Sequence, residues 1–421
     1  MGGPPKKKRH HYVPQFVLRN FSPDGGDAVP TFVLESGEFH EKSSVRGQCA
    51  RDYFYGRSPE MENAFAQSET KVSAVLRRAA AGDLVGFEAP YRLRAFPDTA
   101  EYAVLQEHPL HVLREFIYYQ THRTAASADE MEERIDRAAK RWLRMDPRFK
   151  EKAPEAFEHL DDVIIKLNDT MSHILYSTGP FAFGMLDMTV KLFIVDEPSF
   201  ILSDHPTVLR NQYSEVNPGG PGALGMLARG LQMFMPVSPT MTVAVYDGDV
   251  YKCGSDDSVI VKMSTHNARV LNEMQLRNAA ECLYLHPSVP QDHAELRRTW
   301  LSRPDMAPRI VEGPIKDRGD GAFSQFEYTL PAEVTPPLRL RCFQIHDRTS
   351  ETVCRSFGDM QSFPIRSLAL AEAVEDMSDF LDWKVKEQIL KERRPVSPHW
   401  KGWFDSIKDP RKPGGRFHGR E

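Results

Sequence analysis

The chemistry open to this chain rests on a few polar side chains set among apolar ones. His10 and His11 are adjacent and follow the cations Lys6, Lys7, Lys8 and Arg9. Neighbouring side chains of an extended segment point to opposite faces, so one ion would take only one of the two imidazoles. Glu62 and Glu69 lie seven residues apart on an expected helix and share a face, fit to act as ligands or as a base and its orienter. Arg123 follows an expected helix end, where it either caps carbonyls or grips a phosphate or carboxylate bidentately. Asp204 ends an expected strand ahead of His205-Pro206, where the strand fixes the backbone and the loop exposes the side chain. One polar cleft is therefore expected, with His10, His11, Glu69, Arg123 and Asp204 as catalytic groups. His11, Glu69 and Asp204 would hold a divalent metal, and Lys8, Arg9, Gln15 and Arg123 would hold phosphate. Each residue also has a plainer role: a core histidine satisfied by backbone, a solvated helix edge, a capping arginine, an Asx turn at Asp204.

Composition narrows the field. The chain has 421 residues, 41% hydrophobic and 27% charged, which is a globular composition long enough for a large core. The net charge of −5 confines any nucleic-acid contact to a local patch, and cations do gather at both ends. Pro4 to Arg9 resembles a short nuclear localisation run, a pattern with many false positives. Five scattered cysteines without a CxxC argue against a disulfide framework or a thiolate zinc site and point to a reducing cytoplasm. No apolar run approaches a membrane span, and no apolar stretch follows the basic start as a signal peptide requires. Walker, GxGxxG and HExxH motifs are absent, and no Gly-x-Ser-x-Gly elbow surrounds Ser203.

The elements that must position these groups follow from periodicity. Tyr12, Val13, Phe16, Val17, Leu18 and Phe21 are too apolar for a loose end, so residues 10–21 should pack into the core. A strand is expected at 31–34 and a helix from Pro59 to about Ala81, with Met61, Phe65, Val72 and Leu76 as its stripe. A second helix carries Leu110 to Gln120. A third should start at a Ser127–Glu130 capping box, and a fourth should run unbroken from Pro154 to Ser177. Strands follow at 190–195, 200–202, 233–239 and 242–246, then a helix from Thr265 to about Cys282. Residues 323–330 and 338–345 read as strands and 369–392 as a helix.

The order of these motifs resembles a bacterial family known only as domain of unknown function 4238. The likeness rests on Arg9-His10-His11-Tyr12-Val13-Pro14-Gln15 closing at Arg19-Asn20-Phe21, then Phe54-Tyr55, Glu62 and Glu69, Gln120-Thr121-His122-Arg123-Thr124, Ser203-Asp204-His205-Pro206 and Pro236-Val237-Ser238-Pro239. His205 stands where the family usually has Asn. The resemblance covers about residues 6–286 and implies no activity. The expected fold is α+β, a helical N-terminal half packed on a small, mostly antiparallel sheet built from residues 30–35, 190–203, 233–250 and 323–345. Residues 1–286 form the core domain (helical 59–178, sheet-rich 185–286), 287–320 a linker, 321–394 a strand and helix extension, and 395–421 a basic tail. Two functions compete. One is a metal-assisted hydrolase of phosphodiesters or nucleic acid. The other is a binding or sensor module of a bacterial defence or stress system, with a buried polar network and no turnover.

Overall fold

Residues 9–21 lock the chain together. β1 (Arg9–His11) leads through the Val13-Pro14 step into α1 (Gln15–Asn20). Tyr12, Val13, Val17, Leu18 and Phe21 are buried in the largest apolar cluster, together with side chains of the helical layer and of the central sheet. In the computed structural model of the protein, the described residues are 8–87, 92–93, 97, 99–216, 224–303, 309–312, 316–317, 323–324, 327–330, 338–346, 354–355, 363–391, 407 and 409.

The hairpin β2 (Ala28–Val33) and β3 (Phe39–Ser44) comes next, and β4 (Ala50–Asp52) returns to pair antiparallel with β1. α2 (Pro59–Ala80) starts at Pro59 with the Ser58 hydroxyl accepting from the Glu60 amide. Its apolar positions Phe65, Val72, Leu76 and Ala79 fall on one stripe and are buried. α3 (Thr99–Leu105) precedes α4 (Pro109–His122), the most enclosed helix, which packs on α2 and on the sheet. α5 (Ala125–Met145) begins before the expected capping box: Thr124 is the cap, and its hydroxyl accepts from the Ser127 amide. Ser127 turns back instead, donating to the Thr121 carbonyl.

The expected unbroken helix at 154–177 is in pieces. α6 (Pro147–Lys152), α7 (Pro154–Glu158) and α8 (Thr170–Thr178) are separate. Asp169 takes a left-handed φ of 57°, a conformation short polar side chains tolerate, and β-branched Val163 and Ile164 weaken helix before it. The helical path does not end at Ser177 either, since α8 reaches Thr178 and a 3-10 helix continues over Gly179–Met185.

β5 (Thr189–Ile194), β6 (Leu202–Ser203), β7 (Val208–Arg210), α9 (Gln212–Val216), β8 (Gln232–Ser238), β9 (Met241–Tyr246), β10 (Tyr251–Lys252), β11 (Ile260–Lys262), α10 (Thr265–Asn278) and β12 (Cys282–Tyr284) build the second half. The main sheet runs β11-β5-β9-β8-β7, with only β11 parallel to its neighbour. Both faces are covered. Val190, Leu192, Met233, Met235, Val243 and Val245 face the helical layer, while Phe193, Phe234, Ala244 and Tyr246 face α10, as the two-residue period demands. A second, antiparallel sheet runs β3-β2-β12-β6. The fold is therefore α+β. The single sheet expected is two sheets, and the described residues among 323–345 join neither of them.

α11 (His293–Leu301) occupies part of the expected linker and is anchored: the Arg297 guanidinium donates to the Glu35 carbonyl at 2.8 Å and the Trp300 indole to the Ala279 carbonyl at 3.1 Å. Beyond it lie short strands, β13 (Arg309–Glu312), β14 (Lys316–Asp317), β15 (Phe323–Ser324), β16 (Glu327–Leu330), β17 (Gln344–Ile345), β18 (Cys354–Arg355) and β19 (Phe363–Pro364), then α12 (Leu368–Lys391). Of the expected 338–345 strand only β17 forms, paired with β10. α12 packs on Gly179–Met185, and buried Arg366 fastens its start to the Asp187 carboxylate at 3.1 Å and to the carbonyls of Gly184, Met226 and Ala228. The expected tail, save Ile407 and Asp409, lies outside the described residues, as do residues 4–7 of the basic run. Among the described residues no helix is long and apolar enough to cross a membrane.

Candidate functional site

β1 sends its two histidines in different directions. His10 is buried; its ring stacks on Tyr55 with centroids 5.6 Å apart, and its Nδ1 accepts from the Tyr55 amide at 3.1 Å. His11 turns toward α1. Its Nε2 lies 3.2 Å from the Arg46 carbonyl, which can only accept, so the ring proton belongs there. The Gln15 amide nitrogen lies 3.2 Å from both ring nitrogens, and with the proton on Nε2 it donates to Nδ1. One helical turn on, the Gln15 oxygen accepts from Arg19 at 2.8 Å, and Arg19 also reaches Asp27 at 3.0 Å. Residues 11, 15 and 19 thus form one rail, four apart.

α2 faces that rail. Glu62, Phe65, Ala66, Glu69, Thr70, Ser73 and Arg77 lie on one side of the helix at successive turns. Together with His11, Gln15, Phe16 and Arg19 they line a cleft of about 400 Å³. Arg77 is exposed at the rim and donates to the Ser73 hydroxyl at 2.8 Å.

Arg123 lies beneath this wall. Its side chain is 1% exposed, Nη1 donates to Glu69 Oε1 at 2.9 Å, and Nε donates to Gln120 Oε1 at 2.9 Å. Gln120 in turn donates to the Tyr12 carbonyl at 2.8 Å. The guanidinium sits 4.5 Å from the centre of the Phe65 ring, a cation–π contact. One charge therefore sets the position of two cleft residues, Glu69 and Phe65, and ties α2 and α4 to the N-terminal segment.

The other nominees lie elsewhere. Asp204 is buried, and its two oxygens accept from the Ala280 and Glu281 amides at 2.9 and 2.8 Å, fixing the turn into β12. Burial pushes its carboxyl up to about 6, against the lowering effect of those amides. Asp204 does not line the cleft, so the ligand set His11, Glu69 and Asp204 is not assembled. Among the described residues no three His, Cys, Asp or Glu side chains are grouped to hold a metal. Lys8 pairs with Asp52 at 2.8 Å, and Arg9 donates to the Arg46 and Gly47 carbonyls, each at 3.1 Å. Both serve the outer edge of the β1–β4 pair. His205 meets the Thr124 hydroxyl at 2.6 Å, and burial pushes its imidazole down to about 4.

The cleft thus joins His11, Gln15, Glu62 and Glu69, with Arg123 behind them. Phe16, Arg19, Phe65, Thr70, Ser73 and Arg77 are functional candidates that motif reading passed over. Their signal lies in the spacing: extending the Glu62–Glu69 face by four and eight residues reaches Ser73 and Arg77, and extending His11–Gln15 by four reaches Arg19.

Residues 9–288 match a sequence family described as "Protein of unknown function (DUF4238)". No curated protein and no solved structure matches the chain.

Proposed function

Because the chain belongs to the DUF4238 family over residues 9–288, whose description assigns no activity, we propose a function from the cleft itself: it is a binding site for a phosphorylated ligand of nucleotide size. The observation that carries this reading is the lining. Arg19 and Arg77, Phe16 and Phe65, and Glu62 and Glu69 all line one space of about 400 Å³. That volume lies within the range of small-molecule sites. Arginine forks suit phosphate, aromatic faces suit a flat base, and carboxylates accept from its amino edge.

Binding without turnover is favoured by how the other groups are engaged. Both His11 nitrogens have partners, Arg123 is committed to Glu69, and Asp204 to backbone amides. These contacts hold the cleft in shape, and of the Arg123 nitrogens Nη2 alone is buried without a hydrogen-bond partner. The role follows as a sensor of a phosphorylated signal, the kind of module a defence or stress system uses, in a reducing cytoplasm that suits the free cysteines. Metal-assisted hydrolysis of phosphodiesters or nucleic acid is the second reading. It draws on His11, Glu62 and Glu69 facing the same space.

Thermal-shift screening of the full chain against nucleoside mono-, di- and triphosphates, inorganic phosphate and short oligonucleotides, with product analysis of each mixture, tests both readings. Binding of a nucleotide recovered intact is expected. Cleaved product that is abolished by EDTA supports the second reading, and no shift with any of these ligands removes the first.

A further inference from the structure

The described cysteines outside the cleft are not alike. Cys49 is buried and hydrogen-bonded to the Tyr284 hydroxyl at 3.0 Å. Cys253 and Cys342 instead meet each other. β10 pairs antiparallel with β17 in the register Lys252 opposite Gln344, Cys253 directly follows Lys252, and Cys342 lies two residues before Gln344. Residues 341–342 form a turn at the edge of that pair, and the two thiols interact across it. Both belong to the apolar cluster around Phe343, which collects Phe193, Phe234, Tyr246 and Tyr251. Cys253 is buried, while Cys342 is partly exposed and gives an oxidant its way in.

We propose that Cys253 and Cys342 are an oxidisable dithiol that closes into a disulfide, fastening the segment 338–346 to the end of β10 in the family domain. The junction is where such a link has leverage, because Cys253 lies inside the family-matched residues and Cys342 beyond them. The co-reactant is a peroxide. It oxidises one thiol to a sulfenic acid and leaves as water. The second sulfur then displaces the sulfenic hydroxyl, which departs as a second water with the thiol proton, so two thiols and one hydrogen peroxide give one disulfide and two waters. The Cys253 thiol and then burial push the Cys342 thiol far up, so thiolate is scarce and the oxidation is slow. The closed loop would span about ninety residues, a length at which cross-linking restrains the unfolded chain strongly.

The test treats the folded full chain with hydrogen peroxide, alkylates the remaining thiols, and digests it without reductant for peptide mass spectrometry. The expected result is a Cys253–Cys342 peptide pair that separates on adding dithiothreitol, together with a higher melting temperature for the oxidised chain. Cys342→Ser should abolish the pair and leave Cys253 open to alkylation once the variant is denatured. The reduced wild-type chain is a control that needs no variant to fold. Recovery of both cysteines as alkylated thiols after peroxide, or links formed only among Cys49, Cys282 and Cys354, would overturn the proposal.

Discussion

At the scale of single residues, Arg123 is the side chain on which the cleft depends. It is buried, it holds Glu69 and Gln120, and it covers the Phe65 ring. Removing one partner of a buried ion pair strands the other, at a cost of about 3–5 kcal/mol. Arg123→Ala should therefore lower unfolding free energy by about that amount in urea titration. Glu69→Gln should cost less, about 1–2 kcal/mol, because Glu69 is 26% exposed and the amide keeps one acceptor. Equal losses from the two changes would show that Arg123 does not act through burial. A pH experiment isolates two neighbours on the β6 turn. Burial holds His205 down near 4, and His122 likewise. Unfolded imidazoles titrate near about 6.5, so the unfolded chain binds more protons between about 4 and 6.5 and stability falls as pH drops through that window. Asp204, raised to about 6, has the opposite sign: the folded state keeps its proton between about 4 and 6, and that contribution is lost as pH rises. His205→Asn should flatten the acid loss of the urea midpoint, and Asp204→Asn should steepen it. Parallel pH curves for the two variants and wild type would rule out this assignment.

At the scale of elements, the N-terminal segment is the joint between helices and sheet. Deleting residues 1–8 should lower the melting temperature only slightly, since it removes the exposed Lys8–Asp52 pair and the hydrogen bond from the Tyr53 amide to the Lys8 carbonyl but keeps β1 from Arg9. Phe21→Ala should cost about 3–5 kcal/mol in chemical denaturation, the price of a buried aromatic removed from a packed core. Deleting residues 1–21 should yield insoluble chain, because the lost burial exceeds the roughly 5–15 kcal/mol by which domains are stable; a soluble, folded product would contradict it. Much at this scale was legible in the sequence. α2, α4, α10, α12 and the strands β5, β8 and β9 follow apolar periodicity, because their burial is one-sided or complete. The break at Asp169 was not legible, since a left-handed residue leaves no apolar signature. Nor was the Thr124 cap, because Ser127-Ala128-Asp129-Glu130 fits the capping-box pattern and Thr124, with Ser127 three residues on, does not. Among the site residues, His11, Gln15 and Glu69 could be named from motif and helix face. The separation of His10 from His11 followed from strand alternation. Asp204 could not be resolved, because a strand-end acid reads the same whether it faces a cleft or two backbone amides.

At the scale of the whole molecule, the helical layer, the sheet and α12 are joined by contacts far apart in sequence. Arg366 reaches Asp187 and three carbonyls, with the pair 3% and 7% exposed. Arg366→Ala should release the start of α12, so that proteinase K, which needs no Lys or Arg, cuts within residues 363–391 earlier than in wild type, read as a time course by mass spectrometry. An unchanged cleavage order would show that α12 is held by apolar packing alone. Gly179-Pro180 should resist cutting in both chains, because the 3-10 helix there lies against α12 and α4.

The central claim is that the space between α1 and α2 binds a phosphorylated ligand, and Arg77 tests it most directly. Arg77 lines the cleft, is exposed, and its side chain has Ser73 as its one hydrogen-bond partner among the described residues, so its loss should spare the fold. Calorimetric titration of wild type and Arg77→Ala, with the nucleotide giving the largest thermal shift, should show affinity falling roughly tenfold or more at an unchanged melting temperature. That is the loss expected for a charge-assisted hydrogen bond to phosphate. Equal affinity for the two proteins would contradict the claim.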